Sequence, residues 1–460
     1  MNRLSGYEVL ALGFMTFALF LGAGNIIVPA EVGMKAGAAS WAACLGFLIT
    51  AVSMPLLTVI ALARAGGGMA ILTSPVGRVA GLVFAVAIYL AIGPFFGTPR
   101  TAAVSFEIGI TPFLKYLPFV NTEQLVEKDY LAQVSSIALW GYSSLYFTIV
   151  FCLVINPKKM VDRLGKLLTP ALLLGLLILG ISAIAAPAGA LGPITERYQE
   201  NAMLSGFLDG YLTMDALAAL VFGLVIANAV RSKGITDKKL ITGYCIVAGV
   251  IGAVGLSLVY LALINLGASS YAIAADAANG GAILAAYVQY TFGDLGNVLL
   301  ASVIILACMT TAVGLITACG EYFAELTGMS YRLIVLLVTL FSWLVSNVGL
   351  TDLLAFSIPV LVGLYPLSVV LVLLSLAHKL WRYPPLVFIP TLLVTLVFGI
   401  FDAFVAAKWD FLVPDFIQAL WGAEQQMGWV LPVSFTLLMM LILDRAFGQH
   451  LIKSKFSNPN

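Results

Sequence analysis

Sixty-one per cent of the 460 residues are hydrophobic, only 10% carry charge, and mean hydropathy is +1.05. No water-soluble domain of this size keeps such a balance in solution, so the composition describes an integral membrane protein. The formal net charge of +1 gives no reason to expect a nucleic-acid partner.

A helix needs about 20 mostly apolar residues to cross the hydrocarbon of a bilayer. Twelve such stretches are predicted, near 7–31, 40–63, 79–104, 136–155, 168–187, 207–230, 241–266, 294–324, 333–350, 353–377, 385–406 and 427–444. The runs are continuous and outlast the roughly ten-residue alternating strands of a membrane barrel, so the chain is expected to be all helix.

The first stretch opens like a signal peptide, but its apolar run is too long, and it reads as an uncleaved first span. It contains LFLGAGNIIVP at 19–29, with two glycines, an asparagine and a proline where lipid demands an unbroken ladder of hydrogen bonds. Unwinding over Gly22, Ala23, Gly24 and Asn25 would offer free amides to an anion and free carbonyls to a cation. An amino acid carboxylate and a sodium ion suit those needs. The alternative is that Gly22 and Gly24 only let another helix come close.

Further along, RAGGGMA at 64–70 reads as a flexible turn. The third stretch carries TPRTAAVSFE, which sets Arg100 and Glu107 seven residues apart on one helix face. They are either solvated in an outer vestibule or latched together as a gate.

The sixth stretch is DGYLTMDALAALVFG at 209–223. Asp215 falls near mid-depth, where an acid costs roughly 2.5–3.5 kcal/mol, so it needs a partner. The first and sixth stretches run in opposite directions and each opens a set of five. The expected organisation is two inverted five-helix repeats, 1–187 and 207–377, two accessory helices at 385–444, and a tail at 445–460. In the eighth stretch, ILACMTTAVGL places Thr310 and Thr311 side by side. Such hydroxyls either bond back to their own helix or face a ligand.

Basic residues cluster in alternate loops, notably Lys158, Lys159, Arg163 and Lys166, then Arg231, Lys233, Lys238 and Lys239. This bias predicts cytoplasmic N- and C-termini. The five cysteines form no CxxC pair, and two histidines supply neither a metal cluster nor a catalytic triad. No GxxxxGK[ST], HExxH or GxSxG is found, so ATP, a cofactor and enzymatic catalysis are not expected.

Several motifs in order carry a resemblance: the segments at 11–37, 93–109 (GPFFGTPRTAAVSFEIG), 206–226, 279–293 (NGGAILAAYVQYTFG) and 346–366. They resemble the bacterial branched-chain amino acid carriers of the BrnQ type (LIVCS), within the amino acid/polyamine/organocation superfamily. The resemblance implies a twelve-helix carrier of the bacterial inner membrane that imports leucine, isoleucine and valine with a cation, usually sodium. It also implies the leucine-transporter-like fold, with a ten-helix inverted-repeat core and broken helices 1 and 6. Carried onto this chain, amides of Ala23, Gly24 and Asn25 would hold the substrate carboxylate. Acceptors around Tyr211, Thr213, Met214 and Asp215 would hold its ammonium, with Asp215 either binding that group or pairing with Arg100. The sodium ligands would be the carbonyls of Ala18, Leu21 and Ala307 with the hydroxyls of Thr310 and Thr311. A site without a carboxylate favours sodium, with a proton as the other possibility. The pocket wall is expected from Tyr89, Ile92, Phe95, Met214 and Phe222. A carrier of another small solute, such as a different amino acid or a nucleobase, would use the same architecture.

Overall fold

The computed structural model describes residues 3–22, 24–66, 68–116, 120–121, 128–156, 168–277, 279–420, 422–423 and 425–457. Ala23 and the basic loop residues Lys158, Lys159, Arg163 and Lys166 lie outside them.

The α-helices follow in chain order: α1 (Gly6–Phe20), α2 (Gly24–Ala36), α3 (Ser40–Leu48), α4 (Met54–Arg64), α5 (Met69–Leu72), α6 (Arg78–Leu90), α7 (Gly97–Gly109), α8 (Lys128–Val154), α9 (Thr169–Ala185) and α10 (Glu196–Asp209). The second half contains α11 (Asp215–Arg231), α12 (Lys238–Ser269), α13 (Tyr271–Ala274), α14 (Gly280–Phe292), α15 (Asp294–Thr327), α16 (Tyr331–Ser346), α17 (Leu350–Leu376), α18 (Pro384–Ala406), α19 (Asp415–Gln418) and α20 (Val430–Ser457). The described residues contain no strand.

Among these residues, eight helical stretches are long and apolar enough to cross a membrane, or nine if the bent pair Glu196–Thr213 and Asp215–Arg231 is one span. Three shorter apolar helices, Gly6–Phe20, Thr169–Ala185 and Tyr331–Ser346, stand at other expected positions. Gly24–Arg64 runs as one stretch over the end of the first expected span and all of the second. The short helix α14 was not expected from the sequence; Asn279 caps it by accepting the Ala282 amide at 3.0 Å.

Apolar side chains turn outward around the bundle, among them Ile184 (73% exposed), Leu258 (63%) and Ile442 (69%). Water would penalise such a surface, whereas lipid makes it the ordinary outer face.

Inside, α1 and α2 lie along α12, while α15 packs against α7, α11 and α1. The α2–α12 contact is backbone to backbone: a Cβ on Gly267 would come within 1.9 Å of the Ala30 carbonyl oxygen. Small residues permit that approach where no hydrophobic drive separates helix from lipid. On the periphery, α18 rests on α17 and α20 on α18. Asp444 of α20 fixes the start of α18 by accepting the amides of Arg382 and Tyr383, each at 2.7 Å.

Candidate functional site between two interrupted helices

The first apolar run is broken where its glycines predicted. Leu21 ends α1 with φ −73° and ψ 80°, and the helix resumes at Gly24. Asn25 supports the break, because its Oδ1 accepts the Gly22 amide at 3.2 Å, an amide that also donates to the Phe20 carbonyl at 2.7 Å. Each amide left unpaired at this depth would cost several kcal/mol.

A second interruption lies across from it. The α10 helix tightens into a 3-10 turn over Gly210–Thr213, Met214 adopts a left-handed φ of 63°, and α11 leaves at 43° to the preceding segment. A side chain at positive φ is uncommon outside glycine, asparagine and aspartate, and such strain persists only where the surroundings fix it.

Asn25 and Asp215 join the two breaks. Asn25 Nδ2 donates to Asp215 Oδ2 at 2.6 Å and also to the Tyr260 hydroxyl. Tyr260, on α12, donates in turn to the same carboxyl oxygen at 2.9 Å. The partner that a mid-depth acid requires is therefore an amide and a phenol. Of the two roles expected for Asp215, the ion pair with Arg100 is not formed in this structure.

A third break brings in Arg100. At Gly93 the backbone leaves helical values (φ −83°, ψ −113°), and Pro94 follows within a wide π turn that separates α6 from α7. One turn later, Arg100 Nη1 lies 3.4 Å from Met214 Sδ. Its Nη2 lies 3.5 Å from where a Cβ on Gly24 would stand, and the Leu212 carbonyl oxygen lies 3.7 Å from the same point. Glu107 is exposed on the following turns and forms no salt bridge with Arg100, so of the two alternatives the latch is not formed in this structure. Two turns of helix set their backbones about 10 Å apart, which one-sided spacing does not overcome.

A cavity of about 60 Å³ lies among these elements. Gly24, Asn25, Arg100, Thr213, Met214 and Asp215 supply its polar side. Ile92, Phe222 and Leu315 supply apolar wall. The other expected wall residues lie elsewhere: Tyr89 stacks on Tyr322 at 4.0 Å, and Phe95 is 41% exposed against Phe341. Tyr211 lies against Tyr365, its ring tilted by 33°, and lines a separate 430 Å³ vestibule with Arg197, Asp209 and Gln425. Met214 borders both spaces.

Beside the first break, α15 presents its two hydroxyls. Thr310 Oγ1 donates toward the carbonyls of Ala18 at 3.0 Å and Ala307 at 2.9 Å. Thr311 Oγ1 donates to the Leu19 carbonyl at 3.2 Å, which adds an oxygen beside the expected set. The result is a cluster of hard, uncharged oxygens, the donor type that suits a sodium-like cation. Among the described residues, no group of three or more His, Cys, Asp or Glu side chains competes as a metal site.

The family model described as "Branched-chain amino acid transport protein" matches residues 5–447. The chain belongs to this family. One branched-chain carrier relative, the transport system 2 carrier protein of Pseudomonas aeruginosa, is 55% identical over 98% of this chain and 99% of its own. The BrnQ permease of Escherichia coli K12 is 46% identical with the same coverage. Among solved structures, MhsT in complex with L-phenylalanine is similar with a TM-score of 0.53 and 16% identity, over 94% of this chain and 98% of that one. That likeness shows the leucine-transporter-like fold of this branched-chain transport family member.

Sequence reasoning missed Tyr260 and the break in the third span. Tyr260 sits in an unremarkable apolar helix and gave no signal. The break had one: GPFFGTPR holds two glycines and two prolines in eight residues.

Proposed function

We propose that this chain is a secondary carrier that imports leucine, isoleucine and valine with a cation, sodium, by alternating access. It is not an enzyme, as its family is one of carriers and permeases. The observation that carries the reading is the meeting of two interrupted helices through Asn25 and Asp215, beside a cluster of uncharged oxygens. Amides at Gly24 and Asn25 suit a carboxylate, acceptors around Leu212 to Asp215 suit an ammonium, and Ile92, Phe222 and Leu315 suit an aliphatic side chain. Carbonyls of Ala18, Leu21 and Ala307 with both threonine hydroxyls hold the ion, with the Leu19 carbonyl beside Thr311. A proton is the weaker candidate, since these oxygens do not titrate.

The membrane is the bacterial inner membrane, crossed twelve times with both termini inside, and the halves 1–187 and 207–377 are inverted repeats. The 430 Å³ vestibule is the outer approach. The inner end is shut where Arg231 holds the Gly66 carbonyl at 3.0 Å and Asn228, and Asn228 donates to Glu321 at 2.7 Å. Import then requires that Met214 yield on one side and this cluster part on the other.

One cation entering down a potential of about 100 mV supplies roughly 2.3 kcal/mol, or near fifty-fold accumulation of a zwitterion. A methylene in an apolar pocket is worth only about 1–3 kcal/mol, so the three substrates share the site. Uptake of labelled leucine into proteoliposomes under imposed sodium, potassium or pH gradients tests the proposal. Sodium-driven accumulation that valine and isoleucine compete away is expected. Accumulation indifferent to sodium, or competition by nucleobases but not by valine, would overturn it.

A further inference from the structure

We infer that Arg100 is the counter-ion of the substrate carboxylate, an inference that rests on the carrier reading above. Arginine within a membrane span is expensive and faces either a water-filled space or a partner. Among the described residues, Arg100 has no acidic partner. Glu107 on its own helix is exposed and forms no bridge to it, and the Asp215 oxygen that faces Asn25 is taken by Asn25 and Tyr260. The Nε atom is buried with no hydrogen-bond partner at all. Nη1 meets only the Met214 thioether, a weak acceptor that a carboxylate would displace.

The placement matches an α-amino acid. Nη2 and the Leu212 carbonyl both border the space left by the missing Gly24 side chain, at 3.5 and 3.7 Å from its Cβ position. A cation and an acceptor facing one small space fit a carboxylate and an ammonium separated by a single carbon. The planar guanidinium holds a carboxylate through two parallel hydrogen bonds, which a lysine does not reproduce. The break at Gly93 and Pro94 is what delivers this side chain to the cavity.

The test measures equilibrium binding of leucine and of leucinamide, which lacks the carboxylate, to the full-length protein in lipid nanodiscs with sodium. Wild type should prefer leucine by about a hundred-fold, the upper range for hydrogen bonds to charge. In Arg100→Gln that preference should fall to about three-fold or less, through loss of leucine binding with leucinamide little changed. Arg100→Lys should fall between the two, and it carries the comparison if the glutamine variant does not fold. A preference unchanged in either folded variant would overturn the role of Arg100. Wild type that binds and transports no leucine would instead overturn the carrier reading.

Discussion

Asn25 Nδ2 and Asp215 Oδ2 meet at 2.6 Å across 190 residues of sequence, and that hydrogen bond ties one helix break to the other. The same asparagine accepts the Gly22 amide through its carbonyl, so a single side chain completes one break and anchors the second.

Removing it weakens both breaks at once. Asn25→Ala removes its bonds to the Gly22 amide, Asp215 and Tyr260 together, each worth about 1 kcal/mol, while the Gly22 amide keeps the Phe20 carbonyl and Asp215 keeps Tyr260. Tyr260→Phe takes one donor from Asp215 while Asn25 stays in place, so its cost is nearer 1 kcal/mol. Thermal unfolding in detergent should rank wild type above Tyr260→Phe and both above Asn25→Ala. Equal stability of Asn25→Ala and wild type would contradict this role.

The first break was legible because asparagine and proline join two glycines in one membrane span, and the second because a mid-span aspartate needs a partner. The identity of that partner was not legible. Arg100 was the obvious choice by charge, yet Asp215 is satisfied by neutral donors, one of them Tyr260 on a helix whose pattern is plain apolar. Likewise, the family resemblance set Thr310 and Thr311 against the first break, but the carbonyls their hydroxyls meet, Ala18 and Leu19, depend on where α1 ends and were not legible.

Gly24→Ala separates folding from binding. Its added methyl would make only ordinary contacts, 3.5 Å or more from Arg100, Leu212 and Thr213. Stability should therefore change by no more than about 0.5 kcal/mol, as for substitutions that create no clash. The methyl nevertheless fills the space assigned to the substrate's charged head, so leucine affinity should fall at least about ten-fold. Unfolding curves and equilibrium binding on the same preparation check both halves. Full leucine affinity in the variant would remove that assignment.

The ion site is tested by Thr310→Ala combined with Thr311→Ala. Two hydroxyl oxygens beside the Ala18 and Leu19 carbonyls are lost, while the helix keeps its own ladder. The sodium concentration for half-maximal leucine uptake should rise by about ten-fold or more, taking roughly 1.4 kcal/mol of lost ligation as the lower bound. An unchanged sodium dependence would exclude these oxygens as ligands.

Met214 borders both the central cavity and the vestibule. A Met214→Cys variant should react with a membrane-impermeant thiol reagent applied outside, and saturating leucine should slow that reaction. Four of the five native cysteines are buried and Cys152 on α8 is exposed, so Met214→Cys is made in a Cys152→Ser background and that background is the blank. Labelling only from the inside would reverse the assigned direction of access.

The most direct measurement is the position of leucine in a structure of the protein solved with leucine and sodium. The carboxylate should lie within hydrogen-bond distance of Arg100 and of the amides at Gly24 and Asn25, with the ammonium toward Leu212 and sodium at Thr310 and Thr311. Leucine found in the vestibule alone, with the space between the two breaks closed to it at saturation, would contradict the account.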